Sequence, residues 1–205
     1  MAVEKGVIVS KGRYMELLEK RIAKEGHILP GNVLKVDSFL NHQIDVSLMD
    51  SIGTEFFRKF KDHGITKVLT VEASGIAVAG SVARLLEVPV LFAKKTQSLN
   101  MGSDVFVSTV SSYTRGKDFQ ITVSQKYLGQ ADTVLLVDDF LATGNAMKGL
   151  IDICNQAEAH IAGLGICIEK GFQPGGEELR KMGYDVMSLA IIDSISENGT
   201  ISFRH

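Results

Sequence analysis

The chain has 205 residues, of which 45% are hydrophobic and 22% are charged, which suits one α/β domain or one domain with a small lobe. A formal net charge of -2 argues against a general role in binding nucleic acid or a membrane surface. Cys154 and Cys167 are too few and wrongly placed for a disulfide framework or a zinc site. Because there is no apolar run of ~20 residues and no visible signal peptide, we expect a cytoplasmic protein.

The amino-terminal 45 residues give few firm signals. Residues 1–13 lack a convincing period, and residues 14–24 predict an amphipathic helix that ends at Gly26. Residues 27–45 mix apolar side chains with Asn41, His42 and Gln43. That mixture suits a pocket for a flat heterocycle, and it equally suits a strand and turn that pack against the edge of the core.

The order strand, loop of small residues, helix occurs twice in the chain. The first unit comes after a predicted helix over residues 45–62, and consists of a strand at 67–71, the loop 72–75 and a helix to about Leu86. The N–H groups that open such a helix form an anion site. The alternative is an ordinary strand-to-helix turn.

Two lysines, Lys94 and Lys95, end the next predicted strand at residues 88–93. Their charges could neutralise an anionic leaving group, although paired lysines are usually a solvated surface feature. Residues 96–126 then predict two strands joined by a polar tip at 111–117. We interpret this excursion as a lid; a dimer-contact arm is the alternative, and the strands could serve both purposes.

The second strand-loop-helix unit carries the most specific pattern. Residues 134–137 predict a buried strand, and Asp138 and Asp139 follow it directly. Consecutive side chains on a strand point to opposite sides, so the two carboxylates can address two parts of one ligand. Residues 142–146, here called the small-residue loop, open a helix over 145–156 and predict a phosphate site. The structural alternative is an ordinary strand-to-helix turn in which Asp138 caps the helix.

The carboxyl-terminal part repeats the pattern of a buried strand with polar residues at its end. A strand at 160–168 leads to Lys170 and Phe172 on the expected ligand edge. Lys170 could reach a flat heterocycle while the ring stacks on Phe172, or Lys170 could simply pair with Glu169 or Glu177. We assign a structural role to the helix at 175–182 and the strands at 185–191 and 200–203.

The second unit resembles the PRPP-binding motif of the type I phosphoribosyltransferases: four hydrophobic residues, two acids, two hydrophobic residues, then Ala-Thr-Gly. Residues 72–75 are similar to the Glu-Ala-Arg-Gly of adenine phosphoribosyltransferases, with Ser74 in place of Arg. The resemblance implies an α/β fold with a mainly parallel central sheet flanked by helices, a small hood and a flexible lid. It divides one compact domain into residues 1–45 (extension and hood), 46–168 (core, with the lid at about 96–126) and 169–205 (hood).

Two further segments, residues 34–43 and 168–175, resemble the xanthine phosphoribosyltransferases of Gram-positive bacteria. Hypoxanthine-guanine enzymes carry an Asp where this chain has Ala142. The likeness runs from about Met15 to the end. It implies transfer of 5-phosphoribosyl from PRPP to xanthine, giving XMP and pyrophosphate in purine salvage, with Mg²⁺ accompanying PRPP and a homodimer as the assembly.

The resemblance also assigns roles to single residues. The catalytic pair is Asp138 and Asp139, either of which could contact Mg²⁺ that binds through PRPP. The residues implied to bind PRPP are Ala142, Thr143, Gly144, Asn145 and Ala146. Those implied to bind pyrophosphate are Ala73, Ser74, Gly75, Lys94 and Lys95. Those implied to bind xanthine are Leu34, Asn41 and Lys170. Alternatives are transfer to guanine, hypoxanthine or adenine, and a non-catalytic PRPP-sensing regulator. A regulator of that kind would need a DNA-binding domain, for which the residues ahead of the core are too few.

Overall fold

The computed structural model describes residues 15–31, 33–95, 104–111, 118–196 and 199–205. The helices are α1 (Glu16–Glu25), α2 (Val46–Phe60), α3 (Gly75–Leu86), α4 (Asn145–Gln156) and α5 (Gly175–Lys181). The strands are β1 (His27–Leu29), β2 (Val33–Lys35), β3 (Lys67–Val71), β4 (Val90–Ala93), β5 (Val105–Ser111), β6 (Asp118–Ser124), β7 (Thr133–Leu141), β8 (His160–Lys170), β9 (Val186–Ile195) and β10 (Ile201–Phe203). A single turn of π-helix (Asp37–Asn41) follows β2.

A six-stranded sheet in the order β10-β9-β8-β7-β3-β4 forms the centre of the fold. Every neighbouring pair is parallel except β10 with β9. The carboxyl ends of β3, β7 and β8 therefore meet at one edge, which is where an open α/β sheet binds its ligands. The predicted fold class, a mainly parallel sheet flanked by helices, is confirmed.

Alternation along β7 divides the core into two layers. Leu135 and Val137 pack with α1, α2 and α3 on one face, while Val134 and Leu136 pack with α4 and the β5–β6 hairpin on the other. All four side chains are fully buried, as expected for a central parallel strand. The same alternation continues to Asp138 and Asp139, and it sends their side chains to opposite faces.

Several predicted elements are confirmed, and the strands at the ligand edge are longer than predicted. Helices α3 and α4 end where the sequence indicated. Strand β7 continues to Leu141, so both aspartates lie inside the strand, and β8 continues to Lys170. Strands β9 and β10 extend the same sheet, because their apolar side chains complete its core.

The predicted excursion is a two-stranded antiparallel sheet, β5 with β6, which packs on α4. The remainder of the proposed lid, at 96–103 and 112–117, and the amino-terminal extension at 1–14 lie outside the described residues. Among the helices that are described, none combines the length and apolarity needed to cross a bilayer.

Candidate active site

A cavity of about 220 Å³ opens at the carboxyl end of β7. It brings together three groups that the sequence predicted as site residues: one catalytic aspartate, the whole small-residue loop and the lysine at the end of β8. Its lining consists of Val110, Phe119, Asp138, Phe140, Leu141, Ala142, Thr143, Gly144, Asn145, Ala146, Met147, Lys170 and Gln173. The β5–β6 hairpin supplies Val110 and Phe119, so it forms one wall of this cavity.

The two aspartates form a buried pair. Asp138 and Asp139 are 8% and 7% exposed, and the backbone N–H of Asp139 donates to Oδ1 of Asp138 at 3.0 Å. Burial raises the pKa of Asp138 well above its ordinary value, the neighbouring charge of Asp139 raises it further, and the charge of Lys95 opposes the rise. The ionised carboxylate of Asp138 is therefore destabilised in the free protein, and hydrogen bonds from ligand hydroxyls or a nearby cation would stabilise it.

The small-residue loop is shaped by a left-handed residue and a close neighbour. Gly144 has φ of 80° immediately before α4 begins, a conformation that a residue with a side chain rarely adopts. The N–H of Gly175, at the start of α5, donates to the carbonyl of Ala142 at 3.1 Å. The loop thus presents the first turn of a twelve-residue helix, whose N–H groups have no acceptor within the helix.

The loop at residues 72–75 reaches the same place from β3. A Cβ on Gly75 would lie 3.2 Å from Oδ1 of Asp138, so this loop packs directly against the carboxylate of Asp138. The Glu72–Ala73 peptide bond is cis. Oε1 of Glu72 accepts from the backbone N–H of Lys95 at 2.7 Å, which fixes the lysine segment beside the loop.

The structure separates the two lysines that the sequence left interchangeable. Lys94 exchanges backbone hydrogen bonds of 3.0 and 2.9 Å with Thr122 of β6, which attaches the hairpin to the sheet edge. Lys95 lies with its ammonium 5.7 Å from the ring centroid of Phe119, and its charge acts on Asp138. Of the two side chains, Lys95 is the one that is coupled to the acid pair.

The residues predicted to bind the base are only partly brought together. Lys170 lines the cavity, and burial lowers its pKa. Asn41 donates through Nδ2 to Oδ2 of Asp139 at 3.3 Å, which connects the π-helix to the acid pair. Leu34 is 6% exposed and belongs to the hydrophobic core; it is not among the described residues that line the cavity.

Six of the lining residues were not predicted as site residues: Val110, Phe119, Phe140, Leu141, Met147 and Gln173. Phe140 follows the acid pair within β7, and Gln173 donates its N–H to the carbonyl of Lys170 in the turn after β8. Gln173 could have been found from its position three residues after Lys170 in the segment that carries the resemblance. Phe140 offered no signal, because an apolar residue at the end of a strand predicts core.

A buried ion pair holds α5 beneath the cavity. Glu169, 2% exposed, receives two hydrogen bonds from Arg180, at 2.8 and 2.7 Å, and one from the hydroxyl of Ser188. Burial by itself would raise the pKa of Glu169, but the contacts with Arg180 and Ser188 outweigh it, so the pKa lies below 4.5. The ion pair stabilises the fold fully above pH 4.5, the ordinary pKa of a glutamate. This stabilisation is lost as the pH falls through the lower pKa that Glu169 has in the folded protein.

Arg180→Met is expected to destabilise the fold by about 3 kcal/mol, because it leaves the buried charge of Glu169 without its partner. Urea denaturation at neutral pH measures this loss. The matched control is Lys181→Met in the same helix, since the Lys181–Glu177 pair is exposed on both sides and its removal should change the free energy of unfolding far less than Arg180→Met does. Equal losses in the two variants would contradict the importance of burial.

Comparison with known proteins agrees with this geometry. Residues 36–202 match the phosphoribosyl transferase domain. A xanthine phosphoribosyltransferase of Bifidobacterium adolescentis is 55% identical over 192 residues, covering 93% of this chain and 100% of the relative. One of Ruminiclostridium cellulolyticum is 53% identical over 189 residues, covering 92% and 99%.

Solved structures share the architecture. The APRTase of Giardia lamblia superposes with a TM-score of 0.64 at 30% identity, covering 71% of this chain and 79% of that one. The adenine phosphoribosyltransferase of Trypanosoma brucei gives 0.71 at 18% identity, covering 89% and 83%; at that identity it supports the fold alone. The domain match and the identity to full-length relatives lead to one conclusion: this chain belongs to the phosphoribosyltransferase family.

Proposed function

We propose that the protein transfers the 5-phosphoribosyl group of PRPP to xanthine, producing XMP and pyrophosphate for purine salvage. One observation carries the proposal: a single cavity joins a buried carboxylate, a helix-opening loop of small residues and a half-buried lysine. Relatives that share over half of their residues with this chain are named for the same base.

In this reaction the small-residue loop holds the 5′-phosphate through backbone N–H groups and the positive end of α4. Asp138 and Asp139 accept hydrogen bonds from the ribose hydroxyls. Asp138 lines the cavity, and Asp139, on the opposite face of β7, would reach the sugar from the side of Asn41. That arrangement fixes the anomeric carbon relative to the incoming base.

Pyrophosphate leaves toward the loop at residues 72–75. The backbone of Ala73, Ser74 and Gly75 and the ammonium groups of Lys94 and Lys95 receive its charge. On the other side of the sugar, Lys170 and Asn41 orient xanthine; a contact of Leu34 with the base would need rearrangement, since Leu34 is buried in the core. A ring nitrogen of the base forms the new bond to the anomeric carbon as the bond to pyrophosphate breaks, and the carbon inverts.

The acid pair also suits Mg²⁺ that arrives with PRPP. Among the described residues there is no cluster of three or more His, Cys, Asp or Glu that could enclose a metal. Mg²⁺ is commonly held by one or two carboxylates together with substrate phosphates, and Asp138 or Asp139 could supply that contact. When bound, the ion would offset the charge of the diphosphate.

The hood, core and lid division remains a proposal of the same kind. Residues 1–45 and 169–205 would form the hood, 46–168 the core and about 96–126 the lid. The hydrogen bond from Asn41 to Asp139 supports a hood function for the amino-terminal segment. Limited proteolysis tests the lid: cleavage within 96–126 should be suppressed by PRPP, and unchanged cleavage would contradict it.

The working assembly is proposed to be a homodimer. Exposed apolar side chains on α1 and at the start of α2, Leu17 at 54% and Val46 at 70% exposure, offer surface for a second copy. Sedimentation should give twice the mass of one chain, and a monomer mass at assay concentration would refute the dimer.

A cytoplasmic location is proposed on the ground that Cys154 and Cys167 are free and buried, as is usual in a reducing compartment. Cell fractionation tests this location, and recovery of the protein outside the cytoplasm would contradict it.

Turnover with PRPP, Mg²⁺ and each purine in turn tests the function. We expect pyrophosphate release with xanthine at a kcat/KM at least about tenfold above that with guanine, because a donor group aimed at the C2 position pairs with an oxygen but not with an amino group. Preference for guanine, hypoxanthine or adenine would keep the reaction and change the substrate. PRPP binding without turnover on any base would support a regulator instead.

A further inference from the structure

The start of α5 touches the backbone of the small-residue loop. A Cβ on Gly175 would lie 2.4 Å from the carbonyl oxygen of Ala142, 2.5 Å from the nitrogen of Gly144 and 2.6 Å from the carbonyl carbon of Thr143. All three atoms are backbone, so none can rotate away as a side chain would. The contact is reciprocal, because a Cβ on Gly144 would lie 3.2 Å from Cα of Gly175.

The local backbone conformation does not explain why residue 175 is a glycine. Gly175 is the first residue of α5, its φ is not in the left-handed region, and alanine is favoured over glycine in helices by up to about 1 kcal/mol. The close approach to the loop is therefore the physical reason that a residue without a side chain fits here. The hydrogen bond from the Gly175 N–H to Ala142 adds direction to the contact.

Helix α5 is itself held firmly against the sheet. Its Arg180 forms the buried pair with Glu169, and its Leu179 is fully buried in the core. On the surface, Lys148 of α4 and Glu178 of α5 form an ion pair at 2.6 Å. Through Arg180 and Leu179, the segment that contacts the loop is thus anchored to the sheet and its core as well as to α4.

We infer that Gly175 is a positioning residue for PRPP: by backbone contact, it sets where the small-residue loop holds the 5′-phosphate. The inference rests on the proposed function, and it assigns to the carboxyl-terminal segment a part in binding the sugar phosphate. Gly175 acts through the loop and does not contact the reacting atoms.

Gly175→Ala should raise the KM for PRPP, and its dissociation constant measured by calorimetry with Mg²⁺ and without base, by about 10- to 100-fold, since displacements of an ångström cost that much. The KM for xanthine at saturating PRPP should stay within about twofold of the original enzyme, because the base site is not moved. Unchanged PRPP affinity in a folded Gly175→Ala protein would overturn the inference. If the unaltered enzyme itself neither binds nor turns over PRPP, the proposed function fails, which is a separate result.

Two controls separate position from stability. Leu179→Val trims a buried side chain of the same helix and lowers the melting temperature, but it leaves the contact with the loop intact; its KM for PRPP should be unchanged. Gly129→Ala is the steric control, since a Cβ there meets nothing within 4 Å. A rise in the KM for PRPP in Leu179→Val equal to that in Gly175→Ala would assign the effect to stability and overturn the inference.

Hydrogen exchange on the unaltered enzyme tests the same contact if Gly175→Ala does not fold. PRPP should slow exchange of the Gly175 amide together with the amides of residues 143–146. Protection of the loop without any change at Gly175 would overturn the inference.

Discussion

Asp138→Asn is expected to lower kcat/KM by about 10²- to 10³-fold, the cost of removing one electrostatic contact to a transition state, and at neutral pH it should also raise the melting temperature. The two effects share one cause. The carboxylate of Asp138 is buried beside Asp139, so its charge is costly in the free enzyme and is compensated only when substrate binds. Asparagine keeps the shape and removes the charge.

The stability effect has a defined pH window. The pKa of Asp138 lies near 3.8 in the unfolded chain and well above that in the folded protein, through burial and the charge of Asp139. As the pH rises from 3.8 to the folded pKa, the unfolded chain loses its proton first, so the free energy of unfolding falls. Asp138→Asn has no titrating carboxyl at this position, so its free energy of unfolding does not fall in this way. Its advantage in melting temperature should be absent below pH 3.8, grow through the window and then level off.

Activity should show the opposite dependence on the same group. The ionised form of Asp138 accepts the ribose hydroxyls, so kcat/KM for PRPP in the unaltered enzyme should rise with pH through the folded pKa, and this limb should vanish in Asp138→Asn. Asp62→Asn is the control, because Asp62 is exposed at the end of α2. A variant that loses activity without gaining stability would refute the cost that we assign to the buried charge.

The strongest patterns in the sequence predicted the fold and much of the site. Residues 134–137 form a strand buried on both faces, as a short continuous apolar run predicts, and residues 145–156 form a helix because their apolar residues keep a helical period. The small-residue loop and Lys170 line one cavity, because parallel strands bring their carboxyl ends to the same edge.

The remaining features depend on contacts between distant segments. The sequence could not distinguish Lys95 from Lys94; in the structure the backbone of Lys94 bonds to Thr122 of β6, and the charge of Lys95 acts on Asp138. It offered Glu169 and Glu177 as partners for Lys170, whereas Glu169 pairs with Arg180 and Glu177 with Lys181. Hydrophobic periodicity carries no information on which charges face one another across an element.

Lys170→Met is expected to lower kcat/KM for xanthine by about 10- to 100-fold, with a smaller effect on the KM for PRPP. A hydrogen bond that involves a charged donor contributes about 1.5 to 3 kcal/mol, and Lys170 provides it from a half-buried position on the cavity wall. Steady-state kinetics with each substrate varied at saturation of the other separates the two effects.

The pattern across bases identifies the atom that Lys170 contacts. If the ammonium donates to the C6 carbonyl or to N7, groups shared by xanthine, guanine and hypoxanthine, the loss in kcat/KM should be parallel for all three. We expect this parallel loss. A loss confined to xanthine would instead assign the lysine to the C2 carbonyl, which the other two bases lack, and would contradict a contact with the C6 carbonyl or N7.

The pH profile gives an independent test, with Lys170→Arg as the matched variant. Burial lowers the pKa of Lys170 below 10.5, so the unaltered enzyme should lose activity at alkaline pH as the ammonium deprotonates. Arginine stays charged throughout this range, and its variant should lack that limb while it retains any limb due to ionisation of the purine itself. If the alkaline limb persists unchanged in Lys170→Arg, the titrating group is the base and the charge of Lys170 has no part in holding it.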